Sequence, residues 1–402
     1  MDDTMAIYHR VLSLKGIQFF AKPNQNTDRA TIFQIFNVLY GFLTLLSSFM
    51  FIVININDMV LLIEGACIWT TGVLMATSLA ICFFFRQTFR GFVKEMIFKD
   101  CILEIPFVDY VMKNGDTGKL GELKDLINST HEKLFKSARI FIKAYLTLYM
   151  LAAFYYIYAR ENDSIRVLAF VMWFPWSLQN VYVYIVSFIL NTYSGFLCTL
   201  SYAGFQSTIT ILVGQIVRQL RILTFILGNM NQMVFEMVPE NNDKRIKCCS
   251  EILKQTVVHY IRIKRFSNRL NVICQPFFLA FIIVGLGIFC VCTVKVAISD
   301  KLAIDTMQYY LHVNSVVLMT LMFSVLGQLL ENESQKLEEA ATEQWYLYDI
   351  RHMKDLRIFH MALGQRMPIY IFGSIRLDLS TFTWYIKTGM SFFTLVMSVI
   401  EF

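Results

Sequence analysis

Long stretches without a charged side chain divide this sequence. Asp, Glu, Lys and Arg are absent from 31–55, 167–217, 270–294 and 306–330, while 59–85 contains only Glu64 and 140–159 only Lys143. A last apolar run, TWYIKTGMSFFTLVMSVIEF, is interrupted by Lys387 alone before Glu401. A helix that crosses roughly 30 Å of hydrocarbon needs about 20 apolar residues, so each stretch can span a bilayer. The 51 residues of 167–217 exceed one crossing at about 1.5 Å per helical residue and hold one span or two.

Charge placement separates these counts, because Lys and Arg collect in cytoplasmic loops. One crossing there gives spans at 31–55, 61–85, 138–159, 180–206, 268–294, 307–330 and 378–400. Thirty Lys and Arg then fall on one side and four on the other: Arg160, Arg166, Lys295 and Lys301. A second crossing would put the basic loops 86–139 and 218–269 on opposite faces. The pattern predicts an all-α polytopic membrane protein with seven transmembrane helices, a cytoplasmic N-terminus and an extracellular C-terminus. Residues 1–30 form a cytoplasmic segment, 31–206 helices one to four and 207–267 a cytoplasmic helical extension. Helices five and six occupy 268–330, a cytoplasmic anchor 331–377 and the last span 378–402. Among glycosylation sequons, Asn162 falls outside, Asn128 and Asn332 inside.

Helical periodicity continues beyond the spans. Val217, Leu220, Leu223 and Leu227 recur every three or four residues, as do Leu253, Val257 and Tyr260, and Leu337, Ala341, Trp345 and Tyr348. Each set gives a cytoplasmic helix one apolar face that needs a partner, within the chain or in another subunit. Leu337, Trp345, Tyr346 and Tyr348 are the anchor candidates. Pro368 and Gly373 interrupt the approach to the last span, which predicts a helix in two pieces, and Pro276 predicts a kink in the fifth.

Composition agrees with the pattern. At 402 residues, 56% hydrophobic and 16% charged, the chain is too apolar for an ordinary soluble domain of this length. Its net charge of +6 says little apart from the placement of Lys and Arg on the predicted cytoplasmic side, and no nucleic-acid partner is expected. The first thirty residues mix charges throughout and do not read as a cleavable signal. Nine cysteines are an odd number, with Cys67, Cys82, Cys198 and Cys274 inside predicted spans, so no disulfide framework is expected. The sequence contains no HExxH, CxxC, GxSxG or P-loop. Neither an enzyme nor a cofactor or metal is predicted.

Ionisable groups inside spans are functional candidates, since one at mid-bilayer costs about 2.5–3.5 kcal/mol. Glu64 and Lys143 lie near span ends, where snorkelling also accounts for them. Lys387 is deeper and calls for protein or water beside it. Ser391, Leu395, Ser398 and Val399 share one side of the last helix, which reads either as a water-facing surface, where a ring of Leu or Val closes a pore by dewetting, or as an ordinary packed face. An acidic bias from Asp58, Glu161, Asp163, Asp300, Asp305 and Glu401 would favour cations at an outer mouth. Cys67, Ile68, Thr71, Met150, Phe154, Tyr158, Tyr184, Phe188, Tyr310, Asn314 and Val317 occupy the outer halves of spans two, three, four and six. They could line a cavity for a small hydrophobic molecule, or simply pack.

The C-terminal third resembles the insect odorant receptor family. The likeness is carried by LGQLLENESQKLEEAATEQWY at 326–346 and SIRLDLSTFTWYIKTGMSFFTLVMSV at 374–399; gustatory receptors, which share the architecture, rank second. This resemblance implies a ligand-specific subunit of a tetrameric, odorant-gated, non-selective cation channel that pairs with the Orco co-receptor in the plasma membrane of sensory neuron dendrites. It implies a gate at Leu395 and Val399, a polar permeation position at Ser398, a cytoplasmic anchor made by the three amphipathic helices, and a pocket for a volatile ligand among spans two to six. Lys387 departs from what the resemblance leads one to expect of the co-receptor's own final helix. A non-channel receptor or transporter with the same helices remains the alternative, although no internal repeat of the kind transporters show is present.

Overall fold

The computed structural model describes residues 27–159, 168, 170–239, 242–298, 304–343, 346 and 348–400. Residues 1–26, Asn162 and Trp345 lie outside the described residues. The helices are α1 (Thr27–Ile54), α2 (Met59–Phe84), α3 (Arg86–Val93), α4 (Pro106–Asn114), α5 (Gly118–Ala159), α6 (Val181–Met237), α7 (Asn242–Ile298), α8 (Ile304–Glu343), α9 (Ile350–Leu363) and α10 (Leu379–Ile400). A hairpin of β1 (Tyr370–Phe372) and β2 (Ile375–Arg376) separates α9 from α10. Among the described residues, five helices are long and apolar enough to cross a membrane: α1, α2, α6, α7 and α8.

The uninterrupted periodicity on both sides of each charge boundary explains the unusual helix lengths. Helices α6 and α7 each run for 57 residues, about 85 Å at 1.5 Å per residue, nearly three times the thickness of the hydrocarbon core. More than half of each therefore projects beyond any bilayer. Asn180 starts α6 by accepting a hydrogen bond from the Tyr182 N–H at 3.0 Å, the usual service of an N-cap side chain. Glu236, near the end of α6, accepts from the Lys119 and Leu120 N–H groups at 2.8 and 3.2 Å and so satisfies the first turn of α5. With Leu134 packed on Gly214, these contacts set α5 and α6 antiparallel.

The three apolar stripes meet within the one chain. Leu220 and Leu223 of α6, Leu253 and Tyr260 of α7, and Leu337 and Ala341 of α8 are all buried in a single cluster. Around this core Arg218 donates to both carboxylate oxygens of Asp100, at 2.8 and 2.6 Å. Arg262 bridges Glu95 and Glu104, and Arg221 pairs with the buried Glu333 at 3.0 Å.

The hairpin fixes where α10 begins. Gly373 turns with φ of +55°, a conformation open to glycine at no steric cost. The Tyr370 N–H donates to Asn271 of α7 at 2.9 Å, and Arg376 donates to Glu331 of α8 at 2.7 Å. The Leu377 carbonyl presses against Gly327 of α8 so closely that a Cβ there would overlap it. Helix α10 then runs beside α7 in the same direction: the Tyr385 hydroxyl sits over Gly285, and the Phe289 ring over Gly389.

Because that carbonyl belongs to rigid backbone, Gly327→Ala is expected to lower stability by at least the 1–3 kcal/mol typical of overpacking. Gly287→Ala, which meets no atom within 4 Å, should be tolerated. Thermal unfolding of both detergent-solubilised variants, followed by size exclusion, checks this contrast.

Candidate functional site

Helix α10 has two unlike faces. Thr381, Tyr385 and Gly389 are buried, at spacings of four that place them on one side of a helix, and that side is the one held by α7 and α8. Away from it, the exposed residues include Ser380, Lys387, Ser391, Thr394 and Ser398 together with the apolar Trp384, Met390, Phe392 and Leu395. The hydroxyls of Ser391, Thr394 and Ser398 donate to carbonyls of their own helix, at 2.9, 2.9 and 2.7 Å, so they tolerate an apolar neighbour. Lys387 has no such refuge, since an ammonium carries three donors and a full charge. Leu395 is 60% exposed. The side chain of Val399 lies outside the described ones.

The proposed pocket residues are placed as follows. Cys67 of α2 is buried, with its sulfur 3.3 Å from that of Cys292 in α7, so it faces the α2–α7 seam. Ile68 and Thr71 are half-buried, the Thr71 hydroxyl donating to the Ile68 carbonyl at 2.7 Å. Tyr184 and Phe188 of α6 are half-buried and their ring centroids lie 6.2 Å apart. On α8, Tyr310 and Val317 are half-buried and Asn314 is exposed. Met150, Phe154 and Tyr158 fall on α5, where their side chains lie outside the described ones. None of the nine cysteines is joined in a disulfide.

The anchor candidates divide. Leu337 and Tyr348 are buried in the chain's own core, while Tyr346 is 64% exposed. Tyr348 stacks on His352 of α9, with centroids 4.4 Å apart. Both ring nitrogens of His352 are buried without a hydrogen-bond partner, and this burial lowers its pKa against the pull of Asp355 and Asp349. Beyond this core Ile350, Ile358, Met361, Phe372 and Ile375 remain largely exposed. Helical periodicity does not single them out: Ile350, Ile358 and Met361 lie off the buried face of α9, and Phe372 and Ile375 belong to the hairpin.

The model of the 7tm odorant receptor family matches residues 119–390, more than half of the chain. The chain belongs to that family. Its fold is similar to that of olfactory receptor OR5 from the insect Machilis hrabei in complex with eugenol, with a TM-score of 0.81, 10% identity, and coverage of 99% of this chain and 100% of that one. A second structure of the same receptor gives a TM-score of 0.72 at the same identity and coverage. No match was found among curated protein sequences. Family and fold make this odorant receptor a multi-pass membrane protein of the receptor and channel type, not an enzyme.

The burial of His352 predicts a pH dependence for the packing around α9. A histidine held neutral by burial favours the fold fully above its unfolded pKa of about 6.5, and this advantage is lost as pH falls below that value. Anchor stability is therefore expected to decline from pH 7 toward pH 5. His352→Phe, which removes both unpartnered nitrogens, should flatten the slope and leave stability at pH 7 equal or higher. Melting curves across that range measure both effects.

Proposed function

We propose that this odorant receptor is the ligand-specific subunit of an odorant-gated, non-selective cation channel, and that α10 lines its pore. The observation that carries the reading is a lysine and three hydroxyls on the uncovered side of α10, set among apolar residues such as Trp384, Met390 and Leu395. A helix held on one side by α7 and α8 leaves Lys387, Ser391, Thr394 and Ser398 facing away from its own chain. In lipid the lysine alone would cost about 2.5–3.5 kcal/mol, whereas in a water path shared by several chains it costs little.

The reading takes the chain to cross the membrane seven times, with the second half of α5 and α10 added to the five long apolar helices and the C-terminus outside. The shared direction of α7 and α10 supports that arrangement, because it brings both C-terminal ends to one face. Leu395 and Val399 form the closing ring and Ser398 a permeation position beside it. A small volatile molecule binds among α2, α5, α6 and α8 and shifts the population toward a state with the α10 helices apart. The OR5 structure with eugenol supports a small volatile as the class of ligand. Exposed Tyr346, Ile350, Ile358 and Phe372 are suited to contact a neighbouring subunit, the Orco co-receptor in a tetramer.

Current recordings with and without a co-receptor test the pore. Leu395→Ala and Val399→Ala are expected to raise basal current several-fold or to left-shift evoked current, because a narrower side chain weakens dewetting. Lys387→Gln should raise cation conductance by removing a like charge from the path. Unchanged conductance and gating in all three would reject α10 as the pore helix. A tag fused after Phe402 that antibodies reach only in permeabilised cells would reject the topology.

A further inference from the structure

A cleft of about 320 Å³ lies between α1, α6 and the 172–176 loop, apart from both α10 and the proposed pocket. That volume is near the lower end of ordinary small-molecule sites. One wall is made by Leu43, Leu46 and Met50 of α1, which are 62%, 60% and 38% exposed and continue the apolar outer surface of that helix. The cleft thus opens toward the bilayer. Its roof, Trp173 to Trp176, is held by hydrogen bonds on two sides. Ser47 donates to the Trp173 carbonyl at 2.5 Å and its own carbonyl accepts the Trp173 N–H at 3.3 Å. Trp176 donates from Nε1 to Ser187 at 2.8 Å, and Asn191 holds the N–H and carbonyl of Phe170 at 3.0 and 2.8 Å. The shape is preformed, which reduces the entropy lost on binding.

The inner end carries three hydroxyls, those of Tyr40, Thr44 and Ser194. Tyr40 donates to the Leu190 carbonyl at 2.6 Å and Thr44 to the Tyr40 carbonyl at 3.0 Å. Ser194 has the Leu190 carbonyl, the Tyr40 oxygen and the Thr44 oxygen within 3.3 Å. With their protons directed at these partners, the hydroxyls offer the cleft oxygen lone pairs, and a lone pair recognises a donor. We propose that this cleft is a second ligand site, entered from the membrane, for small apolar alcohols and phenols whose one O–H donates to the Tyr40, Thr44 and Ser194 group. An acyl chain from lipid fits the apolar wall but leaves that group unused.

The test uses the full-length receptor in lipid nanodiscs and the part of the tryptophan fluorescence that Trp173→Phe removes. 4-Bromophenol, a heavy-atom quencher with one donor, is expected to quench that part saturably. Its methyl ether, 4-bromoanisole, and the isosteric variant Thr44→Val should each raise the half-saturating concentration roughly three- to tenfold, the loss expected for one neutral hydrogen bond. Leu46→Phe, a change at an exposed wall position that need not disturb folding, should weaken quenching by narrowing the cleft. Quenching that rises linearly with probe in every variant would overturn the proposal as mere partitioning into the bilayer. Equal response to phenol and ether in wild type and Thr44→Val would overturn the hydroxyl assignment. Quenching by chain-brominated phospholipid that 4-bromophenol does not relieve would assign the cleft to lipid instead. The readout is binding beside Trp173, so it stands or falls separately from the α10 pore.

Discussion

The seat of α10 is the constraint on which the rest of the molecule turns. A peptide carbonyl, that of Leu377, rests on a residue without a side chain, Gly327 of α8, and no rotamer change could relieve a methyl placed between them. From that point the direction of α10 is fixed by a second pair of close approaches, Tyr385 over Gly285 and Phe289 over Gly389. Small residues that let helices approach are the usual means of association where lipid removes the hydrophobic drive between them. These contacts all use one side of α10. The orientation of the other side, with Lys387 and its hydroxyl residues, is therefore set by glycines on other helices as much as by α10 itself.

The charged contacts below this seat have a different energetic character. Arg218 is only 2% exposed and Asp100 sits at a positive φ of 43° to meet it, so both desolvation and backbone strain oppose the pair. Buried ion pairs are weak sources of net stability, although breaking one side of such a pair is costly. The apolar interior made by Leu220, Leu223, Leu253, Tyr260 and Leu337 supplies the stability. The ion pairs link segments far apart in sequence: Asp100 to α6, Glu333 to Arg221, and Glu331 to the hairpin. A shift of α6 by one turn would leave Arg218 buried without its carboxylate, so these pairs favour one register over its neighbours.

Sequence patterns reveal the long helices because charge gaps and a spacing of three to four residues are local properties. The break near Pro368 and Gly373 is legible for the same reason, although the two-stranded hairpin that fills it is not: its partners Asn271, Glu331 and Gly327 lie 45 residues or more away. Phase is the other missing quantity. Periodicity says that Leu337 and Tyr348 share a face, but whether that face meets α6 and α7 or a second subunit depends on packing, and both are buried within their own chain. Cys67 likewise belongs to an apolar helix whose sequence gives no sign that its sulfur meets Cys292. Nothing in the spacing of Trp173 and Trp176 indicates that they roof a cleft, which their hydrogen bonds to Ser47 and Ser187 show.

Two surface mismatches of opposite kind constrain how this receptor can be assembled. Along α10 a lysine and several hydroxyls face away from the chain, and for these lipid would be a poor neighbour. In α9, the residues just before it and the hairpin, Tyr346, Ile350, Ile358, Met361, Phe372 and Ile375 are exposed, and for these water would be a poor neighbour. A monomer with α10 in the bilayer and α9 in water would satisfy neither region. Detergent or lipid could cover one only by worsening the other, since the two follow each other along the same 55 residues of chain, from 346 to 400. Further subunits arranged about an axis beside α10 would bury the apolar anchor surfaces against one another and enclose water along the polar face. Closed symmetry is the common outcome when one patch serves every subunit, and in such an assembly the two regions would be tied: a change that separated the apolar surfaces would also remove the enclosure that hydrates Lys387.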